Sequence, residues 1–265
     1  MSDNGDYVLG TAGDEIERLG LQHRVWRDRV LAAWDRAGIG ARQVVLDVGA
    51  GPGWASADLA EIVGTGGCVV ALERSESFLA ALRARGLGNV EVRAQDVCAE
   101  PFGEAEADAA WCRWVLSFVD VPKRTVGHIA RALKPGGVAV FHEYADYGAW
   151  QMMPPDPDLD AFRSHVMQSW RDAGGEPDVA LRLPDWLAQA GLELVEIRPL
   201  IEIVGPRDFT WQWPAAFMAV NARRLAALGY CTDQEAERYA TLLDRAPPPA
   251  LMVTPLVAEV IARKP

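Results

Sequence analysis

Cysteine is scarce in this chain, and the few cysteines lie far apart. Four occur in 265 residues, at Cys68, Cys98, Cys112 and Cys231, and no two form a C-x-x-C pair. Disulfide frameworks and structural zinc sites use cysteines at characteristic short spacings, so we expect four reduced thiols here. The sequence also lacks an H-x-x-x-H motif, and we predict no metal site.

Long apolar runs and runs of basic residues are missing as well. No apolar run approaches the ~18 residues of a membrane-spanning helix, and the opening residues MSDNGDYVLG are too polar for a signal peptide. Acidic residues outnumber basic ones 37 to 26, which gives a net charge of −11. This balance argues against nucleic acid and anionic membrane surfaces as partners. We expect a cytoplasmic protein.

The pattern that is present alternates short apolar strands with amphipathic helices. Apolar residues at helical spacing predict one or two helices over 14–37. Strands and helices then alternate from residue 43 to residue 144, and two helical blocks interrupt the pattern afterwards. Such alternation is typical of an α/β fold with helices on both faces of a parallel sheet. We predict a doubly wound, seven-stranded, mostly parallel sheet.

A glycine-rich turn joins the first predicted strand to the next helix. The stretch VVLDVGAGPGWASADLAEIV begins at Val44 and places Gly49, Gly51 and Gly53 at alternate positions. Glycine turns before a helix bring backbone N–H groups close to an anionic or nucleotide ligand. The spacing differs from the dinucleotide pattern G-x-G-x-x-G, and no phosphate-binding lysine follows the glycines.

Two carboxylates end the next two predicted strands. Glu73 stands twenty residues after Gly53, where a carboxylate can accept hydrogen bonds from ribose hydroxyls. Asp96 ends the third strand and can accept from an adenine amino group. Each of them could instead be a solvated strand end.

These segments together resemble the class I S-adenosylmethionine-dependent methyltransferases. The resemblance is carried by VVLDVGAGPG, VVALERS, AQDV, WCRWVLSFVDVPKRTVGHIARALKPGGVAVF and AEVIARK. RWVLSFV followed by ARALKPGG is similar to small-molecule methyltransferases of the ubiquinone/menaquinone-methyltransferase-like type. The resemblance is close over 43–144 and looser elsewhere.

The resemblance implies S-adenosylmethionine as the cofactor and S-adenosylhomocysteine as the product. It also implies cofactor contacts on the N-terminal helix, in the glycine turn and at the strand ends. These residues are Gln22, Gly49, Ala50, Gly51, Glu73, Arg74, Asp96, Val97 and Arg113.

The resemblance also implies that Trp114, beside Arg113 at the end of the fourth strand, faces the cofactor or the acceptor. Position and residue type add four aromatic candidates for an acceptor pocket, although the tryptophans among them could instead be core: Tyr144, Trp150, Trp211 and Trp213. His142, close to the end of the fifth strand, is either a general base or an ordinary strand residue.

The resemblance divides the chain into three parts. Residues 1–42 form an N-terminal helical cover, 43–146 the cofactor-binding core, and 147–265 the remaining strands with helical insertions at about 147–174 and 206–249. We expect the insertions to form a lid over the cofactor crevice, because closing it would exclude water. The rival interpretation assigns the same helices to a dimer interface, so both monomer and homodimer remain open.

The leading interpretation is a methyltransferase that acts on an oxygen, carbon or nitrogen atom of a small-molecule acceptor. Secondary metabolism is one pathway class in which such an enzyme could act. A non-catalytic binding or regulatory protein of the same fold is one alternative. A protein or nucleic-acid methyltransferase is another, but the acidic charge disfavours RNA. In addition, CRWV stands where an N/D-P-P-Y/F motif would mark amino-group methylation on bases or glutamine.

Overall fold

The seven-stranded sheet expected from the sequence is confirmed. A computed structural model describes residues 13–247 and 249–265. The sheet has the strand order β3-β2-β1-β4-β5-β10-β7, and β10 alone runs antiparallel to its neighbours. Its strands are β1 (Val44–Val48), β2 (Cys68–Glu73), β3 (Val90–Ala94), β4 (Ala107–Arg113), β5 (Leu133–Asp146), β7 (Glu193–Leu200) and β10 (Leu256–Arg263).

Eight α-helices occur within the described residues, and they flank the sheet on both sides. They are α1 (Gly13–Ala37), α2 (Trp54–Val63), α3 (Glu76–Arg83), α4 (Pro122–Ala132), α5 (Pro157–Asp172), α6 (Leu183–Gln189), α7 (Gln212–Ala227) and α8 (Asp233–Thr241). The predicted 1–42 cover corresponds in part to α1, and its residues 1–12 lie outside the described residues.

The core consists of two apolar layers separated by the sheet. Alternate residues of β1 face opposite layers: Val45 joins the layer that contains Trp34 of α1, and Leu46 joins the layer that contains Leu187 of α6. Period-two alternation along a strand buried on both faces produces this arrangement. Both layers are apolar, so each must be covered by helices.

The late helical insertions extend the first of these layers. α7 packs against α1 and α8, while α5 packs against both α7 and α8. A second, antiparallel sheet of three short strands has the order β6-β9-β8, with β6 at Gln151–Met153, β8 at Ile203–Val204 and β9 at Leu251–Val253. The short strands tie the first insertion, and the segment just before the second, to the segment that precedes β10. Of the predicted 206–249 insertion, Pro248 lies outside the described residues.

Candidate functional site

A large cavity opens at the carboxyl ends of β1 to β4, beneath α1. It encloses about 1040 Å³, part of it open to solvent. Parallel strands bring their carboxyl ends to one edge, which is where such folds hold ligands. The cavity is lined by all nine predicted cofactor residues: Gln22, Gly49, Ala50, Gly51, Glu73, Arg74, Asp96, Val97 and Arg113. Their contact with a cofactor stays a prediction.

Left-handed backbone explains the glycines of the turn. Gly49, Gly51 and Gly53 have φ values of +71°, +55° and +80°, which residues with a side chain rarely adopt. A Cβ on Gly49 would lie 2.4 Å from Cγ2 of Val115, and one on Gly53 would lie 2.1 Å from Cδ1 of Leu82. A Cβ on Gly51 would meet nothing within 4 Å. Packing therefore requires glycine at positions 49 and 53, whereas Gly51 faces free space.

The carboxylate of Glu73 holds this turn in place. Its Oε2 accepts the backbone N–H of Gly51 at 2.9 Å, and its Oε1 accepts those of Arg74 and Ser75 at 2.8 Å each. A carboxylate offers about four lone-pair sites, so acceptor capacity for a ligand remains.

Asp96 lies two residues beyond β3, which ends at Ala94 opposite Glu73, and not at the end of the strand as the sequence predicted. Its Oδ1 accepts the backbone N–H of Cys98 at 2.8 Å, and Arg74 approaches its Oδ2 at 3.4 Å. The next side chain, Val97, is buried. A hydrogen-bond acceptor beside an apolar side chain suits a purine ring, which has both an amino group and a flat apolar face.

Asp47, the penultimate residue of β1, also lines the cavity. Its Oδ2 accepts from the hydroxyl of Ser56 at 2.6 Å, and burial raises the pKa of Asp47 to about 6. The bond joins β1 to α2.

Arg113 is partly buried at the end of β4. Its Nη2 donates to Nδ1 of His23 at 3.2 Å, while its Nη1 has no hydrogen-bond partner among the described residues. Burial lowers the pKa of Arg113 to about 10, which still leaves it charged at neutral pH. A buried charge without full pairing is costly, and a ligand anion would relieve that cost.

An aromatic stack meets the cavity at Trp114. The Trp114 ring lies between the rings of Tyr144 and Trp213, with 5.5 Å between centroids on each side. Trp114 itself lines the cavity, has a left-handed φ of +50°, and has a buried Nε1 without a partner among the described residues. Gln22 of α1 contacts this stack, because its Oε1 accepts a hydrogen bond from Nε1 of Trp213 at 3.1 Å.

The predicted position of His142 at the crevice is wrong. β5 continues to Asp146, so His142 lies inside the sheet, where its side chain is fully buried behind Trp111. Its Nε2 lies 3.0 Å from Oε2 of Glu259 on β10. Burial lowers the pKa of His142, and the residue does not line the cavity. The geometry gives no support to His142 as a base.

The insertion tryptophans do not line the main cavity either. Trp150, Trp211 and Trp213 are each at most 4% exposed and belong to the apolar layer on the α1 side. Trp150, Trp213 and Tyr144 border a second, smaller cavity of about 190 Å³, and Trp211 borders neither cavity. Their position in the late helical blocks suggested an acceptor pocket, but the three rings are buried in the apolar layer. The lid stays a prediction.

Sequence reasoning missed several residues of the cavity lining. Pro52, Ser75, Gln95 and Val115 directly neighbour a predicted residue in the chain, and Leu19 lies about one helical turn before Gln22, so adjacency and helical spacing were the available signals for these five. The missed residues are Leu19, Asp47, Pro52, Trp54, Ala55, Ser75, Phe78, Gln95, Trp111, Val115, Phe118 and Val119.

Two searches of the described residues gave no result. Within 13–247 and 249–265, no three His, Cys, Asp or Glu side chains are grouped so that they could hold a metal ion. In the same ranges, no helix has both the length and the apolar character needed to cross a membrane.

Comparison with known proteins identifies the family. A family model described as "Methyltransferase domain" matches residues 46–141. Demethylmenaquinone methyltransferase of Renibacterium salmoninarum is 35% identical over 124 residues, which are 47% of this chain and 49% of that protein. A ubiquinone/menaquinone biosynthesis C-methyltransferase of Ectopseudomonas oleovorans is 31% identical over 123 residues, which are 44% of this chain and 71% of that protein. The chain belongs to the class I S-adenosylmethionine-dependent methyltransferases.

The methyltransferase fold extends beyond the matched domain. A candidate methyltransferase from Bacillus halodurans superposes with a TM-score of 0.60 at 20% identity, covering 89% of this chain and 98% of that one. The sequence alignments are shorter: this methyltransferase spans about half to three fifths of the length of the first relatives that it matches. Its sequence likeness is of the ubiquinone/menaquinone-methyltransferase-like type.

Proposed function

We propose that the chain transfers a methyl group from S-adenosylmethionine to a flat, oxygen-bearing ring in a small-molecule acceptor. One observation carries the proposal: the order of the groups along the carboxyl edge of the sheet. Asp96, Glu73, the glycine turn and Arg113 follow β3, β2, β1 and β4, which are consecutive in the sheet. That order corresponds to an elongated ligand with a base, a ribose and an amino-acid tail.

The residues present fit this cofactor at three places. Gly51 leaves room where a side chain would intrude, and Glu73 and Asp96 present acceptors to hydroxyl and amino groups. α2 begins with no acidic residue in its first turn and no side-chain cap, so its N-terminal N–H groups are not satisfied by a cap. A helix N-terminus of this kind favours a carboxylate.

When bound, S-adenosylmethionine supplies a methyl group on a positively charged sulfur. The side chains of this protein would then orient the acceptor and exclude water. Trp111, Trp114, Val115, Phe118 and Val119 form an apolar wall on one side of the cavity. A water-poor site favours a reaction in which charge is lost, and fixed orientation lowers the entropic cost of the encounter.

The side chains of the cavity favour an acceptor that needs little help in losing its proton. No histidine among the described residues lines the cavity, and Glu73 is already engaged by three backbone N–H groups. A ring carbon or oxygen made nucleophilic by ionisation, as in a quinol or phenol, therefore suits the site better than an aliphatic alcohol. The similarity to a demethylmenaquinone methyltransferase and to a ubiquinone/menaquinone biosynthesis C-methyltransferase supports the same acceptor class.

The proposal is tested by incubating the purified protein with S-adenosylmethionine and a panel of quinols, phenols, aliphatic alcohols, amines and peptides. Mass spectrometry should detect one added methyl group on a ring acceptor and stoichiometric S-adenosylhomocysteine. The Glu73→Ala variant in parallel should give less product with every acceptor. Methylation of peptides or amines alone would contradict the acceptor class. Tight binding of S-adenosylhomocysteine without turnover of any acceptor would favour the non-catalytic alternative.

A further inference from the structure

A chain of three side chains, with His23 buried and Asp58 and Arg113 partly buried, leads from α2 through α1 to the cavity. Oδ2 of Asp58 lies 3.0 Å from Nε2 of His23, and Nδ1 of His23 lies 3.2 Å from Nη2 of Arg113. Asp58 does not line the cavity, and neither does His23, but Arg113 does. The first two residues can therefore influence a ligand only through the third.

The hydrogen-bond partners fix the tautomer of His23. Arg27 donates two hydrogen bonds to Asp58, at 2.9 and 3.1 Å, and these bonds together with His23 hold the pKa of Asp58 below its ordinary value. The ionised carboxylate can only accept, so Nε2 of His23 carries the proton. Since burial lowers the pKa of His23, its ring is neutral and Nδ1 presents a lone pair to Arg113.

This lone pair orients the guanidinium. Arg113 can only donate, so its Nη2 is fixed by an acceptor that carries no charge of its own. Its positive charge is attracted through space by Asp47 and Asp58, and Nη1 remains buried without a hydrogen-bond partner among the described residues. An arginine held by a neutral partner, rather than by a carboxylate, keeps its charge available for a ligand anion.

The position of Arg113 in the sheet indicates which part of the ligand carries the anionic group that it would bind. Val48 and Cys112 are opposite each other in the β1–β4 pair, so Gly49 and Arg113, the next residues, lie side by side at the edge. Glu73 and Asp96 lie on the other side of β1. The guanidinium is thus at the amino-acid end of the cofactor site, away from the ribose and adenine end.

We propose that Arg113 binds the carboxylate of the methionine portion of the cofactor, and that His23, held by Asp58, is its positioning residue. The proposal rests on S-adenosylmethionine being the cofactor, as proposed above. It extends that assignment by naming the charged group that Arg113 recognises and a residue outside the cavity on which recognition depends. A purely structural role, in which His23 only joins α1 to α2, predicts no effect specific to the carboxylate.

The test compares two ligands that differ in the amino-acid tail. S-adenosylhomocysteine carries the carboxylate, and 5′-methylthioadenosine lacks it. Calorimetry on the purified full chain should show that Arg113→Gln weakens the first ligand by roughly ten- to a hundredfold, the range for a lost charged hydrogen bond, and the second by less than about twofold. An equal loss for both ligands would overturn the carboxylate assignment.

Two variants of His23 separate positioning from packing. In His23→Asn the amide oxygen takes the place of Nδ1 and can still accept from Arg113. In His23→Gln the amide nitrogen takes the place of Nε2 and can still donate to Asp58, but the acceptor for Arg113 is lost. The ligand preference is the ratio of the affinity for S-adenosylhomocysteine to that for 5′-methylthioadenosine. We expect His23→Asn to keep this ratio within about threefold of the value for the unmodified chain, and His23→Gln to reduce it by roughly tenfold. Equal preferences in the two variants would overturn the role of His23.

A measurement on the unmodified chain gives an independent answer if a variant does not fold. Nitrogen-15 spectra of the His23 ring should show an unprotonated Nδ1, and its signal should shift with S-adenosylhomocysteine more than with 5′-methylthioadenosine. A protonated Nδ1, or equal shifts, would overturn the proposal. Failure of the proposed function has a different signature, because the unmodified chain would then bind neither ligand.

Discussion

Oε2 of Glu73 accepts a hydrogen bond of 2.9 Å from the backbone N–H of Gly51, so a carboxylate at the end of β2 fixes the turn that follows β1. The same carboxylate lines the cavity at the position expected for a ribose contact. One side chain therefore shapes the loop and faces the ligand. Substitution at this position should alter both properties, which allows them to be measured separately.

Replacing Glu73 with alanine should weaken S-adenosylhomocysteine binding by roughly 1.5–3 kcal/mol for each charged hydrogen bond to the ligand that is lost. Calorimetry measures this loss, and thermal unfolding without ligand measures the loss of the three backbone contacts. Glu73→Gln retains one carbonyl oxygen and should fall between the two proteins in both measurements. Unchanged affinity in Glu73→Ala would remove this residue from the binding site.

Gly51→Ala should reduce cofactor affinity more than it reduces stability. The added methyl group meets no atom within 4 Å and enters the cavity, while the left-handed φ of +55° costs about 1–2 kcal/mol. Gly38→Ala is the matched control, since Gly38 has a φ of +77°, equally free surroundings and no place in the cavity lining. Both variants should unfold at similarly lowered temperatures, and only the first should bind S-adenosylhomocysteine weakly. Similar affinities would show that the methyl group does not meet the ligand.

His142→Gln should leave the pH profile of kcat unchanged, because the side chain at this position does not reach the cavity and glutamine can still donate to Glu259. His142→Leu removes that donor, although Arg36 continues to contact Glu259. We expect it to lower the free energy of unfolding by roughly 1–3 kcal/mol. Denaturant titration and initial rates across pH check the two expectations. A shifted acidic limb in the glutamine variant would restore His142 as a candidate base.

Glu143 should make stability depend on pH in an unusual direction for a carboxylate. It is fully buried, and burial raises its pKa from 4.5 to about 7 although Val115, Leu116 and Ser117 donate hydrogen bonds to it. Between these two values the folded chain binds more protons than the unfolded chain, so the stability that Glu143 contributes falls as the pH rises.

Glu143→Gln removes this titration, and glutamine can still accept the backbone bonds. The stability of the variant relative to the parent should rise by about 3 kcal/mol between pH 4.5 and 7 and remain constant above that window. Urea unfolding at several pH values measures the difference, in which groups common to both proteins cancel. A difference independent of pH would contradict the raised pKa.

Trp213→Phe should lower acceptor turnover, because a smaller ring supports Trp114 of the cavity lining less well, and should weaken S-adenosylhomocysteine binding only as far as Gln22 contacts the cofactor. Phenylalanine preserves a ring against Trp114 but loses the bond from Nε1 to Gln22. Initial rates at saturating cofactor and sedimentation velocity should be measured together. Unchanged turnover with an altered oligomeric state would favour the dimer-interface interpretation of these helices.

The strand-end residues were predictable because parallel strands deliver their carboxyl ends to one edge. Glu73 and Asp96 follow recognisable apolar strands, and the glycines between β1 and α2 mark the turn itself. Sequence periodicity together with the glycine turn was therefore sufficient to locate the cavity. The side chains that couple distant segments were not predictable, since nothing local in α1 indicates that His23 meets Arg113.

The error over His142 has the same origin. The apolar run of β5 suggested a strand that ends near residue 144, yet the strand continues to Asp146 because β10 pairs along it. The partner of His142 is Glu259, 117 residues away in the chain. The strands β6, β8 and β9 have two or three residues each, too few for a periodic pattern.

The place of β10 between β5 and β7 has a consequence for how the protein is made. β10 follows every other strand in chain order, yet it bridges two strands that do not touch each other in the sheet. During synthesis on the ribosome, the edges of β5 and β7 that pair with β10 therefore remain unpaired until β10 emerges. Such edges are prone to aggregation, so release of a nascent chain before β10 would expose them permanently.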